Sequence, residues 1–179
     1  MYVFKTTWQI CIASILLATL NNGQLHAQDG NTDAEKVRIG TFDSRAIAVA
    51  WASSASFSEY VQGLRNELEQ AKADGDEDRV KELEAFGPAL QHILHKQGFS
   101  TWPIDNILDQ IRDKIPEIAR DAEVALVVSK WDVEFAADNI EHVDVTDAMV
   151  QLFDPDEKTL EAIKDLREQE PVPLEDIKD

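Results

Sequence analysis

Residues 54–97 read SASFSEYVQGLRNELEQAKADGDEDRVKELEAFGPALQHILHKQ, and this stretch decides the fold. Phe57, Tyr60, Val61, Leu64, Leu68 and Ala71 recur every three or four residues, with Glu59, Arg65, Asn66, Glu67 and Glu69 between them. That spacing predicts an amphipathic helix over 54–73. The run Asp74-Gly75-Asp76-Glu77-Asp78 reads as a turn. Asp76 stands where a helix N-cap belongs, and the acidic residues lie near the positive end of the helix that follows. In that helix Val80, Leu83, Phe86, Leu90, Ile93 and Leu94 share a face, so residues 54–97 are expected to form a coiled-coil-like helical hairpin.

Downstream, Gly98-Phe99-Ser100-Thr101-Trp102-Pro103 interrupts the return helix, because glycine and proline both oppose continuation. An aliphatic stripe of Ile104, Ile107, Leu108, Ile111, Ile115, Ile118 and Ala119 predicts a further helix over 103–121, kinked or ended in its regular part by Pro116. The helical segment as a whole thus runs over 54–121. Glu123 to Trp131 is a valine-rich apolar run and Asp132 to Ala136 alternates, which predicts two strands in a tight hairpin. Asp144 or Thr146 is placed to cap a short helix ended by Asp154-Pro155. Residues 156–168 form another amphipathic turn or two, and 170–179 an exposed tail. Upstream, Lys36 to Asp43 alternates as a short strand, whereas Ser44 to Ala52 is Ala-rich and apolar and fits either a helical turn or a strand extension.

The expected class is α+β and mostly helical: three short strands forming a small β-body, with a projecting helical hairpin. The domain spans 36–154, followed by a C-terminal helical extension and acidic tail over 155–179. Residues 28–35 are polar and unpatterned, as in a disordered leader. Residues 1–27 read as a cleavable secretory signal peptide, with Lys5, an apolar stretch from Ile10 to Leu20, and Leu25-His26-Ala27 at the cleavage end. Export places the protein in the periplasm, or outside the cell, with no integral membrane anchor after cleavage.

The only cysteine, Cys11, lies inside that leader, so the mature chain would have neither disulfides nor thiolate metal sites. The 35 acidic and 17 basic residues give a net charge of −18; removing Lys5 leaves 35 against 16, or −19. Such a surface does not suit nucleic acid, whose phosphates require a basic partner.

No enzyme site emerges. Asp74, Asp76 and Asp78 alternate like a calcium loop, but Arg79 stands where glycine is needed and Ala85 where a glutamate is needed. His92 and His95 lie three apart on a helix without a third ligand at a recognisable spacing, and His142 stands alone. Ser44 in Asp43-Ser44-Arg45 has no glycine-flanked elbow and no assignable base. No glycine cluster cradles a phosphate or dinucleotide, so neither a cofactor nor a catalytic residue is expected. Trp51, Trp102 and Trp131 each sit where an element begins or ends, suiting packing or contact with an unfolded client.

Val37-Arg38-Ile39-Gly40-Thr41-Phe42-Asp43-Ser44-Arg45 and Glu123-Val124-Ala125-Leu126-Val127-Val128 resemble the first and second strands of the OmpH/Skp family of periplasmic chaperones. His142-Val143-Asp144-Val145-Thr146-Asp147-Ala148-Met149-Val150 is similar to that family's closing strand and its aspartate-aliphatic-threonine helix start. The resemblance implies a homotrimer in which strands of three chains build a β-body and the hairpins project as arms around unfolded outer-membrane proteins. Candidate body residues are then Val37, Ile39, Phe42, Val124, Leu126, Val128 and Phe135. Candidate client-contacting or arm-packing residues are Phe57, Tyr60, Leu64, Leu68, Val80, Leu83, Phe86 and Leu90. The function expected is that of an ATP-independent holdase for unfolded or partly folded envelope proteins, serving outer-membrane biogenesis. The alternative is an envelope adaptor or structural protein whose acidic arms bind a basic folded partner.

Overall fold

The computed structural model describes residues 36–177; the expected signal peptide and leader lie outside the described residues. The first strand, β1 (Val37–Phe42), runs into Asp43, whose carboxylate accepts from the Arg45 backbone N–H and caps α1 (Ser44–Ala52). In α1, Ala46, Ile47, Ala48, Ala50 and Trp51 are all buried. A helix enclosed nearly all round carries no apolar stripe, which is why its sequence has no readable period.

The hairpin follows, as α2 (Ala55–Asp74) and α3 (Glu77–Phe99). Ser54 caps α2 by accepting from the Phe57 N–H, Gly75 ends it at φ 73°, and Asp76 caps α3 by accepting from the Arg79 N–H. Glycine is suited to Gly75 because left-handed backbone costs it nothing sterically. Ion pairs fasten the far end across the two helices: Arg79 to Glu67 at 2.6 Å and Lys72 to Glu84 at 3.5 Å.

The expected single helix over 103–121 is two helices, α4 (Asp105–Ile111) and α5 (Ile115–Asp121). Pro116 sits in the first turn of α5, where its missing N–H is harmless, so the break falls at residues 112–114 rather than at the proline itself.

The expected strand hairpin over 123–136 is not formed. β2 spans only Val127–Ser129, a 3-10 turn follows at Lys130–Asp132, and residues 133–138 belong to no strand. The next strand is β3 (Ile140–Asp144), and both β2 and β3 run parallel to β1 in the order β2-β1-β3. Strands that run the same way on opposite sides of β1 cannot be joined by a tight turn. The chain instead leaves β2 where Ser129 caps the 3-10 turn by accepting from the Trp131 N–H, and runs back to start β3 on the other side of β1. Phe135, expected in a strand, is therefore in the connection and 84% exposed. Pairing with β1 begins just ahead of β2, since the Ala125 N–H donates to Arg38 O and the Gly40 N–H to Leu126 O. A Cβ at Gly40 would stand 3.2 Å from a methyl of Val124 and of Val127, so a glycine lets this crossing segment lie close.

After β3, α6 (Thr146–Val150) continues into a 3-10 turn, and α7 (Glu157–Arg167) follows, capped by Asp156. The core lies between the sheet and these helices, with Ile47, Ile107 and Met149 wholly enclosed. The tail beyond α7 is largely exposed, as expected, but held at two points: Arg45 Nη1 donates to Gln169 O and the Val172 N–H to Phe99 O. Among the described residues no helix is long and apolar enough to cross a membrane.

Candidate functional site

Only Ala71 and Leu83 of the apolar hairpin face are buried outright; Phe57, Val61, Leu64, Leu68, Val80 and Leu90 are half-buried. Two facing helices bury one stripe each, and among the described residues the remainder of that face stays partly open. What stays open is a trough of about 540 Å³ between α2 and α3, lined by Phe57, Val61, Leu64, Leu68, Leu83, Phe86, Leu90 and Leu94. Along it Gly87-Pro88 lies within the unbroken α3, where the proline removes one backbone hydrogen bond from the helix.

At the root of the hairpin the trough continues into a second hollow of about 590 Å³, the two sharing Phe57, Phe86 and Leu90. Its walls add Trp51, Tyr60 and Trp102 to those rings. Trp51 and Phe57 are 4.7 Å apart by centroid, and Phe57 and Tyr60 6.3 Å. Tyr60 is 44% exposed and Phe86 38%, so these are open aromatic faces. The hollow's shape is set by hydrogen bonds between α1, α3 and α4. Trp51 Nε1 donates to Gln110 Oε1 at 3.2 Å, and Gln97 Nε2 donates to Pro103 O at 2.8 Å and to Asn106 Oδ1 at 2.7 Å.

Of the candidate contact residues, Phe57, Tyr60, Leu64, Leu68, Leu83, Phe86 and Leu90 line the trough or the hollow, and Val80 lines neither. Sequence periodicity placed them on one face, and Trp51 and Trp102 stood out at element ends; Gln97, Asp105, Asn106 and Gln110, which complete the root, were not singled out. The break at Gly98-Pro103 was the signal for them, because it turns the chain so that Asn106 on α4 meets Gln97 on α3.

The candidate body residues differ in burial. Ile39 and Phe42 are buried in this chain's own core, and Val124 and Val128 are half-buried. Val37, Leu126 and Phe135 are exposed.

A second cluster forms where the parallel strands end. Asp43 and Arg45 are each about 1% exposed and face each other through two contacts, Nη2 to Oδ2 at 2.9 Å and Nε to Oδ1 at 3.1 Å. Lys130 Nζ reaches Asp43 Oδ2 at 2.8 Å, and the Trp131 ring stands 5.0 Å from the Arg45 guanidinium and 4.3 Å from Lys130 Nζ. Thr146 accepts from the Asp43 backbone N–H at 3.0 Å. The carboxylate is saturated and Ser44 is buried beside it, so the cluster ties β1, α1 and the segment after β2 together. Burial alone would raise the Asp43 carboxyl, but the hydrogen bonds and charges of Arg45 and Lys130 outweigh it and bring it from 3.8 down to about 2. A depressed carboxylate contributes stability above its unfolded value and loses it as the pH falls through its folded value. Between about pH 4 and pH 2 the native state is expected to lose stability through this group, on the order of 2 kcal/mol. Urea unfolding of the wild type and of Asp43→Asn across pH 5 to 2 checks this; parallel curves for the two would mean Asp43 contributes nothing.

Asp76 is used in capping, and Asp74 accepts from Gln70 Nε2, so these residues serve the turn. His95 stacks against Phe99 at 5.7 Å. Among the described residues no three His, Cys, Asp or Glu side chains are grouped to hold a metal.

Fold and groove together define a class: an α+β protein in which a small parallel sheet carries a helical hairpin with an open apolar trough. Compared with family models, curated proteins and solved structures, the chain matches none.

Proposed function

We propose that the protein is an exported, ATP-independent holdase that binds unfolded or partly folded envelope proteins in the hairpin trough and works as a homotrimer. The observation that carries this reading is the trough itself. Some eight apolar side chains from two helices meet, yet the trough remains open to solvent along an otherwise charged hairpin. Exposed contiguous apolar surface is costly to keep and marks a binding site. The residue chemistry suits sequence-tolerant binding, since leucine, valine and phenylalanine supply apolar contact without directional polar groups. Around it, Glu67, Glu69, Glu82 and Glu84 are exposed, which keeps a loaded complex soluble by charge. Trimer assembly is supported by the sheet: β2 and β3 each pair only with β1 among the described residues, leaving an open edge on either side, and a three-stranded sheet of this size is poor by itself.

The test is dilution of a urea-unfolded β-barrel protein into buffer with and without the protein, following light scattering, with sedimentation equilibrium on the same sample. Suppressed aggregation by a particle of trimer mass is expected, with Leu64→Asp and Leu90→Asp together reducing suppression at least tenfold. Unchanged scattering with several unrelated clients rejects the reading.

A further inference from the structure

The hollow at the hairpin root differs from the trough it joins in charge: its wall carries Asp105 and no basic side chain, whereas Arg65 lines the trough. Gln97 is only 1% exposed, and both acceptors that hold its Nε2 are oxygens, Pro103 O and Asn106 Oδ1. That fixes which end of the amide is which, because the reverse orientation would set Oε1 against them. Oε1 is then a buried acceptor with no hydrogen-bond partner among the described residues. A buried carbonyl oxygen left unpaired is a standing cost, and this one has essentially no surface open to the hollow. The wall also holds the carboxylate of Asp105, and no lysine, arginine or histidine lines the hollow. Trp102, one of its rings, already serves a cation elsewhere in the fold: Lys96 Nζ stands 4.7 Å from its centroid, though Lys96 is not itself part of the wall. Aromatic faces attract cations through the ring quadrupole, most strongly for tryptophan.

We propose that the hollow seats a cationic side chain, arginine or lysine, belonging to a segment whose apolar residues lie in the adjoining trough. The inference rests on the client-binding reading and adds a selection rule to it: preferred segments carry one cation beside a run of apolar residues. The trough supplies mainly apolar contact, with Arg65 and Gln91 on its wall; the hollow supplies an acidic group and ring faces and no basic side chain, which suits a positive head. The net charge of −18 acts in the same direction, drawing basic segments toward the protein before contact.

Isothermal calorimetry with synthetic peptides tests it. One probe is a twelve-residue alternating apolar peptide with a central arginine; the second carries citrulline there, which keeps shape and removes charge; the third is N-acetylarginine amide alone. The arginine peptide is expected to bind about tenfold more tightly than the citrulline peptide. Asp105→Asn and Trp102→Leu should each narrow that ratio, with circular dichroism confirming that both variants fold. Equal affinity of the two peptides overturns the inference and leaves the client-binding reading standing. Binding of neither peptide defeats both. Binding of the free arginine derivative as tightly as its peptide overturns the assignment to a client segment and marks the hollow as a site for a small organic cation.

Discussion

Replacing Asp43 by alanine is expected to destabilise the protein by about 3–5 kcal/mol, the range for removing one partner of a buried ion pair. The reason lies in what is left behind. Arg45 stays buried with its charge uncompensated, and Lys130 loses the oxygen that it reaches at 2.8 Å. The α1 helix also loses its cap, since the same carboxylate accepts from the Arg45 backbone N–H. A charge without partner in the interior costs far more than the pair contributes when intact. The double variant Asp43→Ala, Arg45→Leu should therefore recover most of the loss, because it leaves no buried charge. Urea unfolding followed by circular dichroism measures both. A single-variant loss below about 1 kcal/mol would show that solvent reaches Arg45 and that the tie between β1, α1 and Lys130 is dispensable.

The second large effect is expected at Ile107, which is wholly enclosed in the core cluster on α4. Ile107→Ala removes buried methyl groups and leaves a cavity, for a loss of about 2–5 kcal/mol. Its site makes the result informative beyond stability. The α4 helix has only two turns, and it carries Asp105, Asn106 and Gln110 to the root hollow, so its seating fixes Gln97 and Trp51. Loosened packing under α4 should reduce affinity for apolar peptides even where the variant remains folded. Thermal unfolding with and without peptide separates the two effects. A variant as stable as the wild type would mean that α4 is not anchored through its aliphatic side.

Much of the hairpin was legible because its determinants are local. Three-and-four spacing of apolar residues, the turn at Asp74-Gly75 and Asp76 as a cap each act within a few residues, as do the Ser54 cap and the left-handed Gly75 that the structure adds. The same local logic placed the short helix after β3, where Asp144 accepts from the Thr146 N–H, and the helix over 157–167. The apolar contact set was readable for the same reason: a periodic face on two helices joined by a tight turn must meet itself. What periodicity could not supply was how much of that face would remain open, which depends on what else the chain brings to cover it.

The strand region shows where local reading fails. Val124 to Val128 and Val133 to Phe135 look like paired strands because apolar runs and alternation carry no information about direction. In the fold, Lys130 and Trp131 are drawn instead to Asp43, the turn that a hairpin needs is not made, and the chain crosses to the far side of β1.

The sequence by itself determined a mostly helical α+β chain with a capped, acidic helical hairpin and an apolar face shared by its two helices, since propensity, capping and period all operate over a few residues. Only the tertiary structure decided that the three strands run parallel, that Asp43 and Lys130 close on one another, and that Trp51, Gln97, Trp102 and Asp105 converge on one hollow. Those outcomes depend on hydrogen bonds and charge pairs between segments far apart in the chain, whose balance is settled only when the whole core packs.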